Sequence, residues 1–200
     1  MVGFPILVLC VFGWLVSKHS GKLFAPADFK DEANYVKMQL TAVASLTAAT
    51  AKGQDSTSQP DLQRIVQVVS NTRQSTENGK KNHILWVDDR PENNTYERKA
   101  FEAVGFSFTL ALSTDEAFRQ ISQTKYAAII SGMGRREGPR EGYVLLDRLR
   151  QMGDQTPLFF YASSNAPAHK RETIDHGGQG CTNNAQDLFE MVTRSIISSR

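Results

Sequence analysis

"HILWVDDRPENN" (His83–Asn94) is the stretch on which the fold turns. Four apolar residues, Ile84, Leu85, Trp86 and Val87, run without a polar break and stop at two adjacent carboxylates, Asp88 and Asp89. A short continuous apolar run bounded by turn signals fits a strand buried on both faces. Pro91 breaks the extended stretch, and a helical pattern follows it. A buried strand that delivers two acids to a loop points to a cation or a phosphate close by.

Working downstream, the alternation repeats. Strands are predicted over 84–88, 106–111, 126–131, 157–162 and 180–182, and helices over 92–104, 114–123, 141–151, 167–176 and 185–197. Near-continuous apolar strands alternating with helices give an α/β domain, residues 83–200, with a five-stranded parallel sheet covered on both faces. Ligands of such sheets lie beyond the carboxyl ends of the strands, which is where Asp88 and Asp89 fall.

Working upstream, residues 76–82 are a polar linker and residues 23–75 a helical region. Phe29, Val36, Leu40, Val43 and Leu46 recur at helical spacing, and so do Leu62, Ile65, Val66 and Val69. The polar stretch Lys52–Pro60 separates the two, which suggests a hairpin. The apolar stripes either pack within that hairpin or make a homo-oligomer. Residues 1–22 open with an uncharged run, Val2–Val16, as long as about 22 Å of helix against a hydrocarbon core of roughly 30 Å. Lys18 and Lys22 follow it, close enough to snorkel. A secretory signal would carry its charge before the run, so an uncleaved single-pass anchor in an inner membrane, with the rest of the chain in the cytoplasm, is the favoured reading. A signal peptide cleaved near Ala25-Pro-Ala27 and a buried soluble helix are the alternatives.

Composition narrows the field. Two hundred residues, 40% apolar and 22% charged, suit one or two globular domains. A net charge of +2 with no long basic block gives no reason to expect nucleic acid as a partner. Cys10 and Cys181 share no motif, so neither a disulfide framework nor a zinc site is expected.

From Ile84 to Ile197 the chain resembles the receiver domain of bacterial response regulators, a flavodoxin-like module. "ILWVDD" matches the first strand and acidic pair; "EGYVLLDRLRQMGDQTPLFFYAS" matches the third helix and fourth strand; "HGGQGC" matches the turn before the fifth strand. The resemblance also implies what is missing. The phosphoacceptor aspartate falls on Gly132, beside Ser131; the hydroxyl residue ending the fourth strand falls on Ala162, beside Ser163; the lysine of the fifth strand falls on Asn184. Phosphoryl transfer needs a nucleophile, a metal and a cationic clamp, and glycine supplies no nucleophile. Asp88 and Asp89 remain as ligands for Mg²⁺, which two carboxylates would hold only weakly. The domain therefore resembles a pseudo-receiver.

The loop "SGMGRREGPREG" adds glycines, which let backbone approach a ligand, and Arg135, Arg136 and Arg140, which suit phosphate. With Asp88, Asp89, Ser163 and Asn184 these arginines make up the candidate ligand site. A solvated loop is the plainer reading of the same residues. Two functions from different classes follow. One is a membrane-anchored, non-catalytic signalling or sensor module that binds a protein partner or a nucleotide-like ligand, with Tyr161, Lys170, Cys181 and Phe189 on the face receivers use for partners. The other is an effector that processes NAD or another nucleotide, as TIR-type domains of similar architecture do, with Glu137 and Glu141 the acids of that loop. A setting in bacterial immunity suits either.

The uncharged run makes one direct prediction. The full chain should sediment with membranes and require detergent for release, whereas a chain starting at Ala25 should stay in the supernatant. Equal detergent-free solubility of the two would rule the anchor out.

Overall fold

The computed structural model describes residues 26–52, 60–76, 82–164 and 166–198. The proposed anchor, residues 1–22, lies outside them; among the described residues no helix is long and apolar enough to cross a membrane. The elements are α1 (Pro26–Lys52), α2 (Leu62–Thr76), β1 (His83–Val87), a 3-10 turn (Pro91–Asn94), α3 (Thr95–Ala103), β2 (Ser107–Ala111), α4 (Thr114–Gln123), β3 (Ala128–Ser131), α5 (Glu141–Gln151), β4 (Leu158–Tyr161), α6 (Pro167–Asp175), β5 (Gly180–Thr182) and α7 (Ala185–Ser198).

The five strands pair in parallel in the order β2-β1-β3-β4-β5. Every residue of "ILWV" is buried, as a continuous apolar run requires. Pleating sends alternate side chains to opposite faces. Leu85 and Val87 join Ile129, Leu145, Leu149 and Phe160 in the core under α4 and α5. Ring contacts mark the other face, where Trp86 meets Phe108 at 5.8 Å and Phe101 meets Phe189 at 5.0 Å. Because β1 and β3 are neighbours while the chain leaves them for opposite edges, their carboxyl ends flank the point where the strand order reverses.

Two local devices close the sheet's carboxyl end. Ser113 caps α4 by accepting from Glu116 N, and Glu116 Oε2 accepts from Leu112 N, close to a capping box. At the start of α5, Gly142 N donates to Met133 O at 2.8 Å. A Cβ on Gly142 would lie 2.7 Å from Phe160 Cε1 and 2.9 Å from Gly132 O, so only glycine lets α5 come this close to the β3 end.

The helical region differs from its expected pattern. The buried residues of α2 are Ile65, Val68, Val69 and Thr72, while Leu62 and Val66 are exposed. On α1, Ala42, Ser45, Leu46 and Ala49 are buried and Leu40 is exposed. The reason in α2 is its partner, which is α7. Asp61 caps α2, accepting from Gln63 N and Arg64 N, and exchanges bonds with Gln186, whose Oε1 accepts from Asp61 N at 2.8 Å. Arg64 Nη2 meets Glu190 Oε2 at 2.5 Å, and Glu190 is almost wholly buried. The α2 stripe is thus used inside the chain.

The tight approach at Gly142 predicts a cost. Gly142→Ala gains helix propensity but inserts a methyl against backbone and a ring edge; the net loss should be about 1–3 kcal/mol by urea unfolding. An unchanged midpoint would mean that α5 shifts freely.

Candidate functional site

At the carboxyl end of β1, Asp88 is already engaged. Its Oδ1 accepts from Arg90 N at 2.7 Å and its Oδ2 from Asn94 Nδ2 at 2.9 Å. The first bond is an Asx turn, which Asp forms readily before a proline-led segment. The topology sets Gly132 beside it: Gly132 N donates to Val87 O, and a Cβ on Gly132 would lie 3.2 Å from Asp88 Oδ2. Asp89 is half-buried next to it.

The adjoining loop is ordered around Arg135. Arg135 and Gly138 exchange backbone hydrogen bonds, closing a two-residue turn over Arg136 and Glu137. Arg135 itself is 7% exposed. Its Nη1 donates to Ser131 Oγ (2.9 Å) and Gly132 O (3.1 Å), and its Nη2 to Thr114 Oγ1 (2.7 Å) and Glu141 O (2.8 Å). One guanidinium therefore ties the β3 end to the starts of α4 and α5. Burial lowers its pKa, and the charges of Glu137, Glu141, Asp88 and Asp89 act against that shift. Its Nε is buried without a partner.

These residues do not fit Mg²⁺ well. The ion demands near-octahedral oxygen ligands. Here one carboxylate already accepts two donors, Gly132 beside it brings no side chain, and a guanidinium supplies positive charge to the same acids. Among the described residues no three metal-ligating side chains come together.

The other predicted residues separate into different places. Arg136 is exposed on its turn. Asn184 caps α7, its Oδ1 accepting from Asp187 N at 3.0 Å, so the side chain at the lysine position holds a helix start. Arg140 and Ser163 come together in a cavity of about 230 Å³. Its walls also include Tyr143, His169, Glu172 and Cys181, and Asp88, Asp89 and Asn184 are not among them. Arg140 Nη2 donates to Glu172 Oε1, and Tyr143 OH donates to Glu172 Oε2. The bond from Arg140 holds the Glu172 carboxyl below its ordinary range. The sequence grouped Arg140 with Ser163 but gave no sign of this cavity's other walls, because it is made where two connections meet helices α5 and α6.

The expected partner face needs correcting. Phe189 is fully buried against Phe101, and Cys181 is 3% exposed with its thiol pushed up by burial. Tyr161 turns inward and donates to Glu97 Oε1 at 2.9 Å. Glu97 is buried, and that burial raises its pKa. Only Lys170 of the four is exposed, and α2 covers part of α7.

No family profile and no curated protein matches this chain. Solved structures do. A two-component response regulator from Clostridium difficile is 22% identical over 60% of this chain and 98% of its own, with a TM-score of 0.52. The receiver domain of the Francisella response regulator 1452 is 20% identical over 58% and 97%, TM-score 0.52. Chemotaxis response regulator CheY4 of Vibrio cholerae is 19% identical over 58% and 99%, TM-score 0.51. At such identities the likeness establishes the fold. The β1–α7 unit is a receiver-fold domain, and the strand order 2-1-3-4-5 agrees.

Arg135 supplies the prediction here. Arg135→Met should destabilise the domain by about 2–3 kcal/mol in denaturant unfolding, because buried acceptors lose a charged donor. Arg135→Lys should recover less than half of that, since an ammonium cannot span the same fork. Wild-type stability in both variants would make the arginine a bystander.

Proposed function

We propose that this chain is a signalling module whose receiver-fold domain acts by binding rather than by accepting a phosphoryl group. The observation that carries the reading is the pairing of Gly132, at the nucleophile position, with Arg135, whose guanidinium already joins the elements around the acids. Phosphorylated receivers need a carboxylate nucleophile, a metal and a cation. Ala162 and Asn184 supply neither hydroxyl nor ammonium, and Asn184 is committed to capping α7. The acids and the guanidinium then serve as a fixed scaffold. The partner is a protein, and ligand contacts lie with Arg140 and Ser163 rather than with Arg135. The run Val2–Val16 tethers the module to a membrane.

The nucleotide-processing reading finds less support. Glu137 Oε1 accepts from Thr114 N and Glu141 Oε2 from Thr114 Oγ1, so both loop acids are occupied within the chain. The cavity, at about 230 Å³, is also small for a nucleotide.

Incubation with acetyl phosphate and Mg²⁺ should leave the intact mass unchanged. Gly132→Asp should stay unmodified as well, because the new Cβ stands 3.2 Å from Asp88 Oδ2 and no hydroxyl or lysine completes the site. A phosphoryl adduct on the wild-type domain, lost on base hydrolysis, would overturn the reading.

A further inference from the structure

We infer that the cavity between the β3–α5 loop, the β4–α6 loop and helix α6 binds a small monocarboxylate with an apolar body. This gives the proposed module an input, but it does not depend on the absence of phosphorylation.

The donors come first. Arg140 lies over the Tyr143 ring at 4.8 Å, and Nη2 donates to Glu172 Oε1. That pair fixes the guanidinium plane while leaving its remaining N–H groups for a ligand. His169 lines the same space, its Nδ1 2.6 Å from Ser164 Oγ. Ser164 Oγ also accepts from Ala166 N, and its hydroxyl can either donate to Nδ1 or accept from it. When it donates, Nε2 carries the proton and is a second donor. Ser163 is exposed on the β4–α6 loop and adds a hydroxyl.

The rest of the wall sets the ligand's class. Met133, Pro139 and Ala162 present apolar surface, which an inorganic phosphate would meet only by losing water. Glu172 cancels much of Arg140's charge, so a dianion is poorly matched, and a ligand here is held by directed hydrogen bonds more than by net charge. A carboxylate accepts from an arginine fork with good geometry. The volume, about 230 Å³, admits a compact acid and is below the roughly 300–1,000 Å³ of drug-sized pockets. Donors on one side, apolar surface on the other and limited space together describe a short aromatic or branched acid.

Benzoate is the probe, with benzyl alcohol and inorganic phosphate as comparators, titrated into the full chain by calorimetry. Benzoate should bind saturably, and each comparator should bind at least about tenfold more weakly. Arg140→Gln should weaken benzoate at least about tenfold. Ser163→Ala, at an exposed residue, should weaken it several-fold with unchanged melting temperature. Ala162→Leu should abolish binding by filling the space. No saturable benzoate binding, equal binding of benzyl alcohol or phosphate, or full affinity in Arg140→Gln would overturn the assignment. Phosphodonor experiments on the same chain are unaffected by either result, so this inference and the proposed function fail separately.

Discussion

Burying a guanidinium is costly unless the protein supplies it with hydrogen bonds. Arg135 finds them for both terminal nitrogens in two hydroxyls and two backbone carbonyls drawn from β3, α4 and α5. Much of the sheet's carboxyl end follows from that arrangement. The loop after β3 must fold back on itself, which the Arg135–Gly138 exchange accomplishes. Helix α5 must start against the β3 end, which Gly142 permits. Asp88 and Asp89 then face a positive charge supplied by the chain itself, in the region where a receiver's acids meet a metal ion. An arginine placed in this way acts as an internal brace, with Glu137 and Glu141 the strongest of the acids that favour its charge.

The parallel sheet was legible because its signal is local. "ILWV" has no amphipathic alternation, so it had to be covered on both faces, and β3 and β4 repeat that signature. The strand order is that of the receiver fold, and it sets Asp88 next to Gly132. Arg135 was not legible. In "SGMGRREGPREG" its neighbours are glycines and charges, a composition that signals solvent, and Arg135 and Arg136 are indistinguishable in the sequence. One is buried and the other exposed only because the turn directs them oppositely. The α2 stripe was half legible. Ile65 and Val69 lie at its centre in either phase, but the choice of Val68 and Thr72 over Leu62 and Val66 depends on where α7 stands. Asn184 falls on the lysine position only by resemblance, while its use as a cap depends on the geometry of a helix start.

The two ends of the site thus have different characters. Around Asp88 and Arg135 most polar groups, the buried Arg135 Nε apart, are satisfied internally and little remains for a ligand to exploit. Around Arg140 and His169 the internal bonds orient side chains and leave donors over. Change in the first region is expected to alter stability, and change in the second to alter recognition. The separation follows from burial more than from residue type, since both regions are built from arginines, hydroxyls and acids.

The docking of α2 on α7 imposes an order on folding. Asp61 and Gln186, which bond to each other, are 125 residues apart, so their contact closes nearly last. During synthesis, at roughly 5–20 residues per second, α2 waits roughly 6–25 s before α7 exists. Through that interval Ile65, Val68 and Val69 have no α7 to cover them. The nascent chain therefore carries an uncovered greasy ridge ahead of a domain that has yet to form, and chaperone capture or premature pairing between neighbouring nascent chains competes with correct closure until the final helix emerges.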